Sequence, residues 1–230
     1  MSVEEKYTVE FTEDGCAILR MKNGQNRLNV MTLMAINKAL DKVEQNSSCR
    51  VLITTGEGKF YSNGLDLDWL KANPERVPEF NVLLIDSMWR LMHFPLPTVA
   101  AINGHSFAGG GFLAICHDYR VMRSDRGWIS WNETLINLRI RGPMQEILHL
   151  KLDSRAIRES VVYAKRITGP EAVSLGIVDS VTSADRLISE AKSLGFGALG
   201  KNNIDRDMLK TMKQDTFPRK EFGVEIPSKM

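Results

Sequence analysis

The 230-residue sequence predicts one α/β fold. Two observations support this prediction: strand-like runs alternate with helical patterns through the first two thirds of the chain, and mostly helical patterns follow. The 43% hydrophobic and 25% charged residues are ordinary for a globular protein. A chain of this length is long enough to bury a proper core.

The N-terminal part contains two predicted strands and a helix. Residues 6–22 alternate between apolar and polar around Asp14-Gly15, which is typical of a hairpin. Apolar residues then recur at helical spacing over 30–46, with Thr32 as the predicted N-cap. These patterns place the first helix soon after the hairpin.

The middle of the chain contains two core strands, each followed by a glycine-bearing turn. The β-rich run VLITT at 51–55 breaks at glycines, and the turn YSNG at 61–64 leads into an acidic helix start. A helix is predicted at 80–94 and stops at prolines. The run TVAAI at 98–102 then precedes three consecutive glycines, 109–111, and another helical pattern.

Helical patterns dominate the C-terminal third. They cover 142–152 and 153–167, and a further helix that ends at Gly176 is followed by a short strand. One more helical pattern lies within 184–203. The residues beyond this pattern are too irregular to assign.

The charge and cysteine content exclude several classes of protein. The net charge of +2 is small and the charges are interspersed, so no basic stripe indicates a nucleic-acid partner. Cys16, Cys49 and Cys116 are widely spaced, which favours reduced thiols over disulfides or a zinc site. The N-terminus lacks a targeting pattern, and no apolar run reaches the ~18–20 residues of a membrane span. The sequence therefore predicts a soluble intracellular protein.

The glycines at 109–111 admit three interpretations. The first is close packing of a helix on a strand. The second is a dinucleotide fingerprint, because residues 109–114 fit GxGxxA and Glu133 follows ~20 residues later. It is disfavoured because residues 103–108 separate the glycines from the strand. A P-loop is excluded because no Gly-Lys-Ser/Thr follows the glycines. The third is an oxyanion hole, since N–H groups at a helix N-terminus have no intrahelical acceptor.

A second donor for an oxyanion hole is available in the turn SNGLDL at 62–67. This turn also leads into a helix start, and it follows the other core strand. If the two core strands are parallel neighbours, both turns can direct an N–H group at one acyl oxygen. Each such donor stabilises a transition state by roughly 3–4 kcal/mol.

Four motifs occur in order along most of the chain and carry a family resemblance. They are VLITTGEGKFYSNGLDL, PTVAAINGHSFAGGGFLAICHDYRVM, WNETLINL and ITGPEAVSLGIVDSV. Over residues 7–180 the sequence therefore resembles the enoyl-CoA hydratase/isomerase (crotonase) superfamily, and FYSNGLDL is most similar to its peroxisomal Δ3,Δ2-enoyl-CoA isomerase branch. The resemblance implies a crotonase-type α/β spiral of β-β-α units over 1–190 and a helical trimerisation tail over 191–230.

The resemblance also implies the residues of the site. The N–H groups of Leu65 and Gly109 would form the oxyanion hole, and residues 59–66 would line a groove for CoA, largely through backbone contacts. Family hydratases hold water between two carboxylates, and here those positions are Glu133 and Phe112. The implied substrate-binding residues are Lys59, Ser62, Asn63, Gly64, Asp66, Leu67, Gly110, Phe112 and Trp131.

With one carboxylate missing, the site is poorly suited to adding water but suits a 1,3-proton shift. Glu133 would take a proton from C2 of a 3-enoyl-CoA and return it at C4, with no metal and no redox cofactor. Apolar neighbours would raise its pKa toward the working range. The predicted neighbours are Trp128, Trp131, Leu135 and Ile136. The expected activity is Δ3,Δ2-enoyl-CoA isomerisation in the β-oxidation of unsaturated fatty acids.

Two alternatives stay open. One is a hydratase or thioester hydrolase on the same scaffold, and Phe112 argues against the hydratase. The other is a non-catalytic acyl-CoA-binding homologue, favoured if Arg139 or Arg141 blocks the acyl pocket. An ion pair between either arginine and Glu133 would also depress the pKa of the base. The arginines are expected instead to face CoA phosphates, a neighbouring subunit or solvent.

Other chemically suggestive residues are interpreted as structural. The side chains of Asp66 and Asp118 are predicted capping or turn acids. Cys116 and His117 are adjacent on a predicted helix and so point apart, which argues against a nucleophile–base pair. The other histidines singled out have no metal-ligand spacing; they are His93, His105 and His149.

The final three residues, Ser228-Lys229-Met230, resemble the Ser-Lys-Leu peroxisomal address, which an import receptor reads. Together with the family resemblance they predict location in the peroxisome. The resemblance also implies a homotrimer or hexamer that binds acyl-CoA thioesters.

Overall fold

Two sheets make up the framework of the computed structural model, which describes residues 2–201 and 204–220. The strands are β1 (Tyr7–Phe11), β2 (Cys16–Met21), β3 (Val51–Gly56), β4 (Phe60–Ser62), β5 (Thr98–Ile102), β6 (His105–Phe107), β7 (Tyr119–Arg123), β8 (Ile129–Ser130) and β9 (Ser180–Thr182). The large sheet has the order β1-β2-β3-β5-β7-β9, with β1 antiparallel to β2 and the other neighbours parallel. The small sheet has the order β4-β6-β8 and is parallel.

Helices cover both faces of the large sheet. They are α1 (Val30–Gln45), α2 (Leu67–Ala72), α3 (Val77–Met92), α4 (Gly109–Ile115), α5 (Pro143–Lys151), α6 (Ser154–Ile157), α7 (Gly169–Ser174), α8 (Leu187–Leu199) and α9 (Arg206–Thr216). Short 3₁₀ helices lie at Glu4–Lys6, Pro74–Arg76 and Asn132–Ile136, and a π-helical turn lies at Arg158–Val162. Within the described ranges, none of these helices combines the length and apolarity that a membrane span requires.

The large sheet has a hydrophobic core on each face, which confirms the predicted α/β class. Strand side chains alternate between the two faces. Leu52 and Ala100 pack in the larger core, whereas Val51 and Val99 pack against α8 on the other side. β3 and β5 are parallel neighbours, with Leu52 opposite Thr98. The two core strands are therefore parallel neighbours, which the sequence analysis required for their glycine-bearing turns to come together.

Each of three core strands is followed by a short strand that leaves the large sheet. β3 is followed by β4, β5 by β6, and β7 by β8, and these three short strands pair with one another. The sequence patterns indicated turns in place of β4 and β6 and no element at β8, because two or three residues are too few for periodicity to register. The chain therefore repeats a strand–strand unit that ends each time at the same small sheet.

The N-cap of α1 is Asn29, so the prediction that Thr32 caps this helix was wrong. The Asn29 side chain accepts from the Thr32 backbone N–H at 3.0 Å, and the Thr32 hydroxyl accepts from the Asn29 N–H at 2.8 Å. This is a capping box, in which the hydroxyl residue stands at the third helical position rather than at the cap.

The C-terminal region is more ordered than its sequence pattern indicated. α9 forms where the sequence analysis left the chain unassigned, and α8 contains the predicted boundary at residue 190 and packs on β3, β5 and β7. The assignment of residues 191–230 to a trimerisation tail stays a prediction. Residues 221–230, which include Ser228-Lys229-Met230, lie outside the described residues.

Lys213 anchors α9 to the body of the protein. Its buried ammonium group donates to the carbonyls of Phe94 and Leu96 at 3.0 and 2.9 Å and to the carboxylate of Asp118 at 2.6 Å. Asp118 also accepts from the backbone N–H of Thr98 at 2.8 Å. The interpretation of Asp118 as a structural acid is confirmed.

Replacing Lys213 with alanine is expected to lower the free energy of unfolding by about 3 kcal/mol, because a buried ion pair loses one partner. It should also expose the connection between α8 and α9 to protease. Urea denaturation and limited proteolysis measure the two effects. Lys210→Ala, an exposed lysine on the same helix, is the control and should change neither. Equal behaviour of the two variants would show that Lys213 is not an anchor.

Candidate active site

The three predicted catalytic groups follow the three strands of the small sheet. Leu65 comes shortly after β4, Gly109 shortly after β6 and Glu133 shortly after β8. Because the three strands are parallel, their carboxyl ends meet at one edge of the sheet. The fold thus brings together three residues that are far apart in sequence.

The turns that carry Leu65 and Gly109 are in direct contact. A Cβ placed on Gly64 would lie 3.0 Å from the backbone nitrogen of Gly109, and one placed on Gly109 would lie 3.0 Å from the Leu65 side chain. Within the described residues, neither the N–H of Leu65 nor that of Gly109 donates to an acceptor. Two N–H groups on contacting turns therefore remain available to an external acceptor, and an oxyanion hole needs two such donors.

The glycines that follow Gly109 are needed for packing. A Cβ on Gly110 would lie 2.3 Å from the carbonyl oxygen of Ser62, and one on Gly111 would lie 2.9 Å from the indole of Trp131. Close packing is therefore confirmed at these two positions. The spacing argument against a dinucleotide fingerprint was wrong, because β6 lies between the core strand and the glycines. At Gly111, the second glycine of that fingerprint, the indole of Trp131 nevertheless occupies the space that a pyrophosphate would need.

Ala108 begins α4 in a backbone conformation that residues with a side chain rarely adopt. Its φ is +50° and its ψ is −120°. The N–H of Ala108 donates to the carbonyl of Ser130 at 2.9 Å, and its carbonyl accepts from Phe112 at 3.1 Å. Such strained residues persist where the surroundings over-determine them, typically at functional sites. Sequence reasoning missed this residue, since the strain depends on β8 lying alongside.

Glu133 is a buried carboxylate without a partner for one of its oxygens. It lies in the 3₁₀ helix after β8, is 6% exposed, and its Oε2 has no hydrogen-bond partner among the described residues. Burial raises the pKa of Glu133 to about 7. Such a group exchanges a proton readily near neutral pH.

Phe112 and Trp131 form a buried aromatic pair, and Trp131 lies two residues before Glu133 in the chain. Both are fully buried, and their ring centroids lie 6.0 Å apart in an edge-to-face arrangement. Phe112 occupies the position at which the resemblance implies a second carboxylate in hydratases. The structure puts an apolar ring there, packed on the residue two positions before Glu133.

Three of the four predicted apolar neighbours of Glu133 are exposed in the single chain. Leu135 is 67% exposed, Ile136 50% and Trp128 37%, whereas Trp131 is fully buried. The prediction that Leu135 and Ile136 enclose the carboxylate was therefore wrong for the single chain. The reason is the tight 3₁₀ turn, which buries Glu133 while leaving the residues after it at the surface.

Arg139 and Arg141 do not pair with Glu133. Both are exposed, and among the described residues neither forms an ion pair with the carboxylate. The pKa of Glu133 is raised by burial rather than lowered by a cation. The sequence analysis expected a weakened base only if one of these arginines formed an ion pair with Glu133, and no such pair forms among the described residues.

The side chains of the predicted CoA-binding turn are largely engaged within the protein. The Ser62 hydroxyl donates to the Asn26 carbonyl at 2.7 Å, and the Asn63 amide donates to Gln25 at 2.7 Å. The Asp66 carboxylate caps α2, which confirms its interpretation as a capping acid. The backbone groups of this turn therefore remain available to a ligand. Of the other predicted substrate-binding residues, Lys59 is exposed and Leu67 is half-buried.

Asn26 positions this turn and was missed by the sequence analysis. It is buried, has a φ of +50°, and its amide donates to the carbonyls of Met21 and Tyr61 at 3.0 Å each. It thereby joins the loop after β2 to β4. A lone asparagine before a helix carries no signal of such a role, because both acceptors come from other parts of the chain.

The remaining candidates do not contribute to the site. His117 is buried, its ring nitrogens face Thr54 and the Leu113 carbonyl, and burial lowers its pKa to about 3. Cys116 is a buried free thiol, like Cys16 and Cys49. Throughout the described ranges, no three His, Cys, Asp or Glu residues come together as metal ligands. Two surface cavities of about 730 and 400 Å³ lie beside the C-terminal segment and contain none of the predicted site residues.

Comparisons with known proteins agree on one family. A sequence model described as enoyl-CoA hydratase/isomerase matches residues 12–225. The chain is 34% identical to enoyl-CoA delta isomerase 3 of Arabidopsis thaliana over 84% of each chain. It is 36% identical to the peroxisomal enoyl-CoA delta isomerase 1 of the same plant, over 75% of this chain and 74% of the relative. Its fold is similar to the crystal structure of human mitochondrial delta3-delta2-enoyl-CoA isomerase, with a TM-score of 0.84, 26% identity, and coverage of 92% of this chain and 83% of the other.

Proposed function

This chain belongs to the enoyl-CoA hydratase/isomerase family, and we propose that it is a Δ3,Δ2-enoyl-CoA isomerase with Glu133 as its single acid–base group. The observation that carries the proposal is the pairing of two unused N–H groups with one buried carboxylate at the same edge of the small sheet. The relatives named enoyl-CoA delta isomerase support the same activity.

The proposed reaction moves one proton and one double bond. Glu133 takes a proton from C2 of a 3-enoyl-CoA, and the electron pair shifts onto the thioester oxygen as a dienolate. The N–H groups of Leu65 and Gly109 stabilise this oxyanion. Glu133 then returns the proton at C4, the electrons flow back, and the double bond lies between C2 and C3. No electrons are gained or lost, so no redox cofactor takes part.

The pKa of Glu133 suits both halves of this cycle. A pKa of about 7 leaves much of the carboxylate ionised at neutral pH, while its conjugate acid is still able to give up the proton. Hydration needs a second polar group to hold and activate water, and Phe112 supplies none. This argues for isomerisation over hydration.

The direct test supplies 3-hexenoyl-CoA and a longer 3-enoyl-CoA and follows the absorbance of the conjugated 2-enoyl thioester. Conversion is expected for both, whereas hydration of a 2-enoyl-CoA is expected to be negligible. Tight binding of these thioesters without any conversion would favour the non-catalytic homologue. Rapid hydration would favour the hydratase.

We also propose that the protein assembles as a homotrimer or hexamer. The support is an apolar surface beside Glu133, where the 3₁₀ helix is joined to the π-helical turn by a 3.1 Å bond from the Thr134 hydroxyl to the Val161 carbonyl. Its exposed side chains are Leu135, Ile136, Val162 and Tyr163. Light scattering should give three or six times the chain mass of 25.9 kDa. A monomeric mass at micromolar concentration would contradict the proposal.

The proposed location is the peroxisome, in the β-oxidation of unsaturated fatty acids. Two relatives at 36% and 38% identity are named peroxisomal, although others at about 30% are named mitochondrial. The test fuses residues 221–230 to a fluorescent protein. Punctate signal that requires the import receptor is expected, and diffuse cytosolic signal would remove the claim.

A further inference from the structure

Three buried polar side chains are hydrogen-bonded in series, and we call them the hydroxyl–imidazole chain: Tyr61, Thr54 and His117. The Thr54 hydroxyl oxygen lies 2.7 Å from the Tyr61 hydroxyl oxygen and 2.8 Å from Nε2 of His117. The other ring nitrogen of His117, Nδ1, lies 2.9 Å from the carbonyl oxygen of Leu113. All three side chains are buried, so these bonds are shielded from water.

One arrangement of hydrogens satisfies the whole chain. A carbonyl oxygen only accepts, so Nδ1 of His117 carries the ring hydrogen. Burial lowers the pKa of His117 to about 3, so the ring is neutral and Nε2 accepts from the Thr54 hydroxyl. A hydroxyl has a single hydrogen, and the Thr54 oxygen therefore accepts from the Tyr61 hydroxyl. The bonds thus all run in one direction, from Tyr61 to the Leu113 carbonyl.

The chain joins the elements that carry the two turns of the proposed oxyanion hole. Tyr61 is on β4, four residues before Leu65, while α4 begins at Gly109 and ends two residues before His117. The two elements also touch at the start of α4, because a Cβ on Gly110 would lie 2.3 Å from the carbonyl oxygen of the residue after Tyr61. The chain therefore adds a second attachment near the other end of α4, and through Thr54 it ties both elements to the core strand β3.

A second attachment matters because α4 is short. Seven residues of helix are about 10 Å long, so a tilt of only about 5° around the C-terminal end would move the Gly109 N–H by almost 1 Å. A misplacement of about 1 Å in a catalytic group costs up to about a hundredfold in rate. The direction of α4 relative to β4 consequently decides whether both N–H groups reach the same oxygen.

We propose that the hydroxyl–imidazole chain positions the oxyanion hole, by fixing α4 and β4 relative to each other so that the N–H groups of Leu65 and Gly109 point at one oxygen. This inference rests on the proposed function and adds three positioning residues to it. None of the three belongs to the site or touches the reacting atoms. They act on it through the two turns.

The test compares two substitutions of Thr54. Valine keeps the shape of the side chain and removes the hydroxyl, whereas serine keeps the hydroxyl and removes the methyl group. With 3-hexenoyl-CoA, Thr54→Val is expected to lower kcat about tenfold and to leave KM within about twofold, because the donors act on the transition state. Thr54→Ser should keep kcat within about twofold of the wild type, since the series of bonds is preserved.

Thr55→Val is the matched control. Thr55 is the next residue of β3, is also buried, and its hydroxyl donates to the Ala101 carbonyl at 2.9 Å. Its side chain lies on the opposite face of the strand, away from the hydroxyl–imidazole chain. Thr55→Val should lower the midpoint of urea unfolding as Thr54→Val does, because each loses a buried hydroxyl, but its kcat should stay at the wild-type value.

Tyr61→Phe tests whether the three residues act as a unit. It removes only the first donor, so kcat is expected to fall about threefold. Added to Thr54→Val, it should cause no further loss, since the series of bonds is already broken. An additional loss in the double variant would show that Tyr61 acts independently and would overturn the inference.

The pH profile separates positioning from general damage. The step in kcat/KM at about pH 7 should keep its place in Thr54→Val, because the surroundings of Glu133 are not altered. A shifted step would assign the loss to the base and overturn the inference. Unchanged kcat in Thr54→Val, or equal losses in Thr54→Ser or in Thr55→Val, would overturn it as well.

The inference and the proposed function fail separately. If the wild-type protein does not isomerise either thioester, the proposed activity is lost. The chain is then still tested by the amide NMR signals of Leu65 and Gly109 in protein labelled with ¹⁵N. Both signals should shift in Thr54→Val and stay in place in Thr54→Ser and Thr55→Val. Isomerisation by the wild type, with unmoved signals and undiminished kcat in Thr54→Val, would overturn the inference alone.

Discussion

Glu133→Gln is expected to lower kcat for 3-enoyl-CoA isomerisation by about a thousandfold, because the amide cannot accept and return a proton. The KM should change little, since the proposed oxyanion hole and the predicted CoA-binding turn stay in place. Steady-state rates with 3-hexenoyl-CoA measure this effect. Retention of more than a tenth of the wild-type kcat would show that Glu133 is not the base.

The pH dependence of the wild type gives an independent check. The pKa of Glu133 is raised to about 7, and only the ionised form accepts a proton, so kcat/KM should rise with pH through about 7 and level off above it. In Glu133→Gln this step should be absent. A flat profile in the wild type would contradict the assignment.

Glu133→Gln should also stabilise the folded protein at high pH. The folded-state pKa of Glu133 lies above its ordinary value. Its contribution to the free energy of unfolding is therefore fully present below about pH 4.5 and is lost as the pH rises through 7. Glutamine does not ionise, and the gain at pH 8 is expected to approach about 3 kcal/mol. Urea denaturation at pH 5 and pH 8 measures the difference, and an equal gain at both would contradict the argument.

Glu146→Gln is the matched control for these experiments. Glu146 is also a buried glutamate, but its Oε1 lies 3.5 Å from the ammonium of Lys220, and it is on α5 beside the 400 Å³ cavity. Its substitution should leave kcat and KM unchanged. Comparable losses in both variants would mean that removing any buried carboxylate disturbs the protein.

Gly110→Ala is expected to have the second largest effect. The added Cβ would lie 2.3 Å from the Ser62 carbonyl, and the turn from Ser62 to Leu65 would have to move. Overpacking of this kind costs about 3 kcal/mol of stability. Displacing the Leu65 N–H from the oxyanion hole should lower kcat about a hundredfold. Thermal unfolding and the isomerase assay measure the two losses.

Gly197→Ala is the control for this glycine. Gly197 lies on α8, where a Cβ would meet nothing within 4 Å. Alanine there should stabilise the helix by roughly 0.5–1 kcal/mol, with activity unchanged. If Gly110→Ala is tolerated as well as Gly197→Ala, the contact between the two turns is not required for catalysis.

Sequence motifs identified the residues of the candidate site, but only the tertiary structure shows how these residues come together. Glu133 and the two glycine-bearing turns are recognisable because residue type and order along the chain are local properties. That Leu65 and Gly109 lie in contact depends on the pairing of β4 with β6, which are too short to leave a periodic signal. The strain at Ala108 and the role of Asn26 depend on the same pairing.

The sequence by itself determined the α/β class and the family, and it showed that Phe112 stands where a second carboxylate would be needed for hydration, because periodicity, glycine content and residue identity express these directly. Only the tertiary structure decided which groups meet. It placed three strand ends at one edge, buried Glu133 so that its pKa rises, and left Leu135 and Ile136 exposed. Burial and long-range contacts belong to the packed chain, since they depend on neighbours that sequence distance does not specify.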